Sequence, residues 1–262
     1  MSIIETLAVL YGSELRCDSE NPDWDRRDRL VLSKGHAGPA LYAALCLRGF
    51  FPKTMLTELN QGGGHLPSHC DRNKTPGVDM TTGSLGQGIS AAIGMALGFR
   101  LNKSGSIAYL IVGDGECDEG QIWEGAMFAA HYKLDNLIMF VDNNKQQLDG
   151  FVKDVMDTGD LAAKFEAFGW HTQRVNGHDC GEILDAVKNA KIAKGAPHCI
   201  VLDTIKGHGC SFAEGVTANH HMSFTKEQID KAIDETFERL QAAKDAVAAA
   251  KASENAEEGG AD

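Results

Sequence analysis

The sequence predicts an α/β protein built on a doubly wound parallel sheet with helices on both faces. Three observations carry this. Residues 106–115 (SIAYLIVGDG), 136–144 (NLIMFVDNN) and 198–207 (HCIVLDTIKG) begin as short, nearly all-apolar runs, the pattern of strands buried on both faces. Helical patterns over 119–132, 158–168 and 179–194 lie between them, as parallel strands require crossovers. Each run ends in glycine or oxygen-bearing residues, and open α/β sheets bind ligands beyond the carboxyl ends of their strands.

The other elements follow in chain order. SIIETLAVLYGSEL, from Ser2, has its apolar residues at helical spacing, and Ser2 followed by Glu5 predicts a capping box. RDRLVLSKGH (27–36) reads as a short strand ending in a polar turn, and AGPALYAALCLRGF (37–50) as a helix stopped by Gly49 and Pro52. Residues 60–78 hold four glycines, two prolines and two histidines, so they form a long loop, a feature usually either functional or disordered. SLGQGISAAIGMALGFRLN (84–102) reads as a helix of small residues that packs closely, and Asp179 as the cap of the helix after it. The tail from residue 239 begins as an Ala-rich helix and ends in an acidic, fraying stretch.

Bulk composition narrows the function. The 262 residues fit one large α/β domain or two small ones. Net charge is −12, from 37 acidic and 25 basic residues with no Lys/Arg stripe, which argues against a nucleic-acid partner. Seven cysteines without a Cys-x-x-Cys pair argue against a disulfide framework or a zinc ribbon and for reduced thiols in a cytoplasmic protein. No apolar run approaches the ~18 residues of a membrane span, and the N-terminus lacks the basic region of a signal peptide. No facing pair of carboxylates marks a glycosidase.

The chemistry concentrates at two strand ends. Asp114 sits in Gly-Asp-Gly, and Asn144 closes the next apolar run thirty residues later. A carboxylate, an amide oxygen and the main-chain carbonyl of Gln146, two residues on, are hard ligands suited to Mg²⁺ or Ca²⁺, with phosphate oxygens and water completing the shell.

This spacing resembles the thiamine-diphosphate motif, GDG followed after about thirty residues by Asn. The segments RDRLVLSKGHAGPALYAAL, KTPGVDMTTGSLGQGISAAIGMA, FEAFGWHTQRVNGHD and TIKGHG resemble transketolase, specifically its N-terminal diphosphate-binding domain, from about residue 3 to 235. The resemblance implies a thiamine-diphosphate-binding fold, with the cofactor domain over 1–238 and an appended helix and tail over 239–262. It implies that Asp114, Asn144 and the Gln146 carbonyl hold Mg²⁺ or Ca²⁺ on the diphosphate of thiamine diphosphate, with Gly115 and Glu116 beside it. Gly83, Ser84 and Leu85 correspond to the loop along the cofactor, and His36 to the histidine near the diphosphate. His69 matches the histidine on the donor sugar hydroxyl, with His65 as its rival. His220 matches the late histidine reaching both cofactor and substrate, with His221 as its rival. Glu119 corresponds to a glutamate linking cofactor sites at a dimer interface.

The implied activity is transfer of a two-carbon ketol unit from a ketose or ketose phosphate to an aldose or aldose phosphate, as in the pentose phosphate pathway. The family's pyrimidine-binding domain is not found in the sequence, nor is an early substrate histidine of the GHxG type. The expectation is therefore the N-terminal subunit of a split transketolase, joined to a C-terminal pyrimidine-domain partner in an α2β2 heterotetramer. The alternatives are a split transketolase specialised for a branched or sulfonated sugar, and a cofactor-binding partner without turnover. Intact Asp114, Asn144, His36 and His69 favour the enzyme.

Overall fold

The structure, a computed structural model, describes residues 1–220 and 222–258. It divides into two compact units, Met1–Lys206 and Gly207–Asp262. The first opens with α1 (Ile4–Val9), continued by a π-helical turn over Leu10–Glu14, and β1 (Arg29–Leu32). A 3₁₀ turn, Gly35–Ala37, leads into α2 (Gly38–Leu47), and the long loop follows before α3 (Gln87–Leu101) and β2 (Ala108–Gly113). Next come α4 (Gly120–His131), β3 (Leu137–Asn143) and a small hairpin of β4 (Gln146–Gln147) and β5 (Gly150–Phe151). Then come α5 (Val152–Val155), α6 (Leu161–Ala167), β6 (His171–Asn176), α7 (Cys180–Ile192) and β7 (His198–Asp203).

Five strands form one parallel sheet in the order β1-β2-β3-β7-β6. The three apolar runs are its central strands, β2, β3 and β7. Alternate residues face opposite layers, as the two-residue period of a strand dictates. Tyr109, Ile111, Phe140 and Leu202 join Leu7, Leu41, Leu45 and Val187 of α1, α2 and α7 in one cluster. Leu110, Val112, Met139 and Val201 join Ile89, Ile93, Ala126 and Phe165 of α3, α4 and α6 in the other. The predicted doubly wound sheet with helices on both faces is the fold observed.

Two local expectations are corrected. The capping box is not formed: the N-cap of α1 is Ile3, with no side-chain cap bond. Ser2 instead donates its hydroxyl to Asp142 Oδ2 at 2.6 Å, a charge-assisted bond that turns the buried side chain to the sheet edge. The edge strand β6, HTQRVN, lay outside the predicted strands; all its side chains but Val175 are polar and none is fully buried, so no apolar run marks it. The cap at Asp179 is present, its Oδ1 accepting from the amides of Gly181 and Glu182 at 2.7 and 3.0 Å.

The long loop is tied down at defined points. Tyr42 donates to the Pro67 carbonyl at 2.8 Å and Thr82 to the Leu32 carbonyl at 2.7 Å. Its main anchor is Asp79. That buried carboxylate accepts from the Leu30 amide at 2.8 Å, from Arg29 at 3.1 Å and from the buried guanidinium of Arg27.

In the second unit, residues 207–216 lead to a 3₁₀ turn, Thr217–His220, and to α8 (Lys226–Glu258), which contains the Ala-rich stretch. Ser211 donates to Glu235 Oε1 at 2.6 Å and Arg239 to the Gly209 carbonyl, holding this loop on the helix. His221 lies outside the described residues.

Removing Asp79 leaves the Arg27 cation buried without its counter-charge. Asp79→Ala is expected to lower the unfolding free energy by about 3–5 kcal/mol, measured by urea denaturation.

Candidate active site

The carboxyl edge of the sheet gathers the polar ends of β1, β2, β3 and β7. At its centre is Asp142, on β3 and fully buried. Its Oδ2 accepts from Ser2 at 2.6 Å, from the Asn144 side-chain amide at 2.9 Å and from the ammonium of buried Lys34. Its Oδ1 accepts from the Thr204 hydroxyl. Burial opposes ionisation, but the charge of Lys34 and these hydrogen bonds outweigh it and hold the carboxyl well below the usual carboxylate range.

Asp114 lies one strand away, just past the Gly113–Asp142 register pair. It is 2% exposed. Its Oδ1 accepts from the Gly115 amide at 2.8 Å and its Oδ2 from the Lys145 amide at 2.5 Å. Lys145 has a positive φ of 67°, and its amide meets Asp114 in a tight turn after Asn144. In that turn Asn144 Oδ1 accepts from the Gln146 amide at 3.1 Å. Burial and the neighbouring charge of Asp142 push the Asp114 carboxyl up to about 6.

Asp114 is thus a buried carboxylate whose hydrogen-bond donors are neutral amides. The turn whose Lys145 amide bonds it also carries the Asn144 amide oxygen and main-chain carbonyls. That set fits a hard divalent cation, which prefers oxygen ligands and supplies the positive charge the carboxylate lacks.

Glu116 staples three segments together. Its Oε1 accepts from the Ser33 hydroxyl and from the Gly86 amide at 2.8 Å, and its Oε2 from the Gly113 amide at 3.1 Å. Ser33 Oγ also accepts from the Gly88 amide at 3.2 Å, and a Cβ at Gly88 would lie 2.3 Å from that oxygen. Gly35 packs equally closely, its Cβ position 2.8 Å from the Thr82 carbonyl oxygen. The start of α3 and the loop through Gly83, Ser84 and Leu85 are therefore held against the ends of β1 and β2.

His69 comes to this loop: its Cδ2 lies 3.2 Å from the Cβ position of Gly83. His36 follows Gly35 and is exposed. His65, by contrast, pairs with Glu58 at 2.7 Å on the surface. Gly115 packs against the Gln147 side chain, and Gln146 is buried. Glu119 is exposed at the start of α4. His220 belongs to the second unit, in its 3₁₀ turn.

The first unit therefore brings together Asp114, Gly115, Glu116, Asn144 and Gln146, with His36, His69 and Gly83–Leu85 on the adjoining loops. Sequence reading missed Asp142, Lys34, Ser2 and Thr204. Asp142 stands inside DNN and Lys34 inside LSKGH, but no local spacing reveals a pair 108 residues apart.

Comparison with known proteins identifies the family. Residues 1–240 match the family described as transketolase, thiamine diphosphate binding domain. The chain is 54% identical over 235 residues to the 6-deoxy-6-sulfo-D-fructose transketolase subunit SqwG of Clostridium sp. (strain MSTE9), covering 90% of this chain and 86% of that protein. It is 35% identical over 241 residues to an apulose-4-phosphate transketolase subunit of Phocaeicola vulgatus, covering 92% and 85%. The solved transketolase of Campylobacter jejuni superposes with a TM-score of 0.80 at 32% identity over 87% of this chain. This chain spans only 37% of that one. With the family matched over nearly its whole length and the motif assembled at one sheet edge, the chain belongs to the transketolase family, as a thiamine-diphosphate-binding domain of the transferase.

Proposed function

We propose that this chain is the diphosphate-binding subunit of a two-chain transketolase. Joined to a subunit carrying the pyrimidine-binding domain, in an α2β2 assembly in the cytoplasm, it moves a two-carbon ketol unit from a ketose to an aldose. The observation that carries this reading is the meeting of Asp114 with the Asn144–Gln146 turn across β2 and β3. Two relatives named as separate transketolase subunits, each matched over most of its own length, support the two-chain arrangement.

In this reading Asp114, Asn144 and the Gln146 carbonyl hold Mg²⁺ on the cofactor diphosphate. Gly83, Ser84, Leu85, Gly115 and Glu116 shape its bed, and His36 lies near the diphosphate. Bound there, thiamine diphosphate supplies the carbon nucleophile for ketol transfer. His69 and His220 bind sugar hydroxyls and pass protons to and from the sugar. Glu119 links cofactor sites across the interface with a second subunit. Residues 1–238 form the cofactor domain, and 239–262 the appended helix and tail.

The donor we favour is a sulfonated ketose of the 6-deoxy-6-sulfo-D-fructose type, because the relative of that name is far more similar than the apulose-phosphate one, 54% against 35%. The test is the co-purified two-chain protein with thiamine diphosphate, Mg²⁺ and an aldose phosphate acceptor. We expect kcat/KM for 6-deoxy-6-sulfo-D-fructose to exceed that for fructose 6-phosphate by roughly tenfold or more, since a site fitted to a singly charged sulfonate disfavours the larger, nearly doubly charged phosphate ester. The reverse order would overturn the substrate, and no transfer from either would overturn the function.

The metal assignment has its own readout. Mg²⁺ must displace the Asp114 proton, and that carboxyl titrates near 6 in the metal-free chain. Below that pH the proton competes, so apparent Mg²⁺ affinity falls about tenfold per pH unit; above it the dependence flattens. Calorimetry across pH 5–8 should show this in the assembled protein, and Asp114→Ala should abolish Mg²⁺-dependent cofactor binding. His69→Ala is expected to cut kcat by roughly 10²-fold with the cofactor Kd within about threefold; equal loss of both would place His69 in cofactor binding.

A further inference from the structure

Asn144 owes its orientation to a residue outside the proposed ligand set. An asparagine side chain can turn by 180° and exchange oxygen for nitrogen at almost the same positions. A fixed partner for the amide nitrogen, together with a donor to the oxygen, decides which end faces a ligand. In this structure that partner is Asp142, whose Oδ2 accepts from Asn144 Nδ2 at 2.9 Å. A carboxylate accepts and does not donate, so the flipped amide would set oxygen against oxygen. The Asn144 oxygen is thereby turned to the Gln146 amide, in the turn that meets Asp114 through Lys145.

Asp142 is itself held from three other directions. Ser2 and Lys34 bind the same Oδ2, and Thr204 binds Oδ1. These donors come from the N-terminal segment, the end of β1 and the end of β7. Lys34 forms an ion pair with the fully buried carboxyl. We propose that Asp142 is a positioning residue: it sets the Asn144 amide with its oxygen presented as the metal ligand. The inference rests on the metal reading above.

The test separates orientation from charge by using two neutral double variants. Lys34→Met with Asp142→Asn removes the ion pair but keeps a carbonyl oxygen toward Asn144, with the new amide facing the Thr204 hydroxyl. Lys34→Met with Asp142→Leu has nearly the same shape and no acceptor. Mg²⁺ is titrated into each assembled two-chain protein at fixed thiamine diphosphate, and binding is read by calorimetry, with thermal melting alongside. The expected result is a Mg²⁺ midpoint about tenfold or more higher for the Leu variant than for the Asn variant. Equal midpoints overturn the proposal. Should the Leu variant not fold, the isosteric Thr204→Val, which releases Oδ1, is expected to raise the midpoint roughly threefold, and no shift would overturn the proposal. Asp114→Ala is the control: if Mg²⁺ dependence survives it, the metal reading fails and not merely the role of Asp142.

Discussion

The ion pair between Lys34 and Asp142 is the constraint on which the carboxyl edge depends. Asp142 lies next to last in the middle strand of the sheet and is fully buried. A carboxylate there is tolerable only with a counter-charge and with its lone pairs filled. Lys34, Ser2, Thr204 and Asn144 meet both needs. They lie far apart in sequence, so satisfying one buried charge fixes the relative positions of β1, β3, β7 and the N-terminal segment. The ligand-bearing turn inherits that rigidity.

Glu116 plays the same part on the other side of the site. Its burial raises its pKa, and its oxygens accept from Ser33, Gly86 and Gly113. Two of these donors are backbone amides, one at a strand end and one just before a helix, and both would be left buried and unpaired without it. The glycines nearby follow from this closeness: Gly35 and Gly88 leave no room for a side chain between β1, the loop and α3. The cradle is thus made by backbone packing and one carboxylate, and His69 packs against its loop at Gly83.

What the sequence revealed follows from what kind of force fixed each feature. Strands buried on both faces must be apolar throughout, so β2, β3 and β7 were legible as runs, and their ends located Asp114 and Asn144. Asp179 was legible because a helix cap is a local hydrogen bond. Ser2 and Glu5 look like the same local motif, yet Ser2 answers to a carboxylate 140 residues away. β6 escaped because an edge strand with one solvated face needs no apolar run. Asp142 and Lys34 escaped for the same reason as Ser2: their pairing exists only once the sheet has formed. His69 was separated from His65 by spacing alone, and the structure places it against Gly83 while His65 pairs with Glu58.

Charge balance connects these parts to the proposed activity. Three carboxylates, Asp114, Glu116 and Asp142, are buried at the edge beside the buried ammonium of Lys34. Asp142 takes that ammonium as its partner, and Glu116 is satisfied by neutral donors. Asp114 is left with amides, and burial first, then the charge of Asp142, raises its pKa. Lys206, half-buried and with its pKa lowered first by burial and then by Lys34, is the next cation along the edge. A divalent ion beside Asp114 supplies the counter-charge and offers its remaining positions to phosphate oxygens. Asp142 pairs with Lys34, and so that ion meets a carboxylate with no competing cation bonded to it.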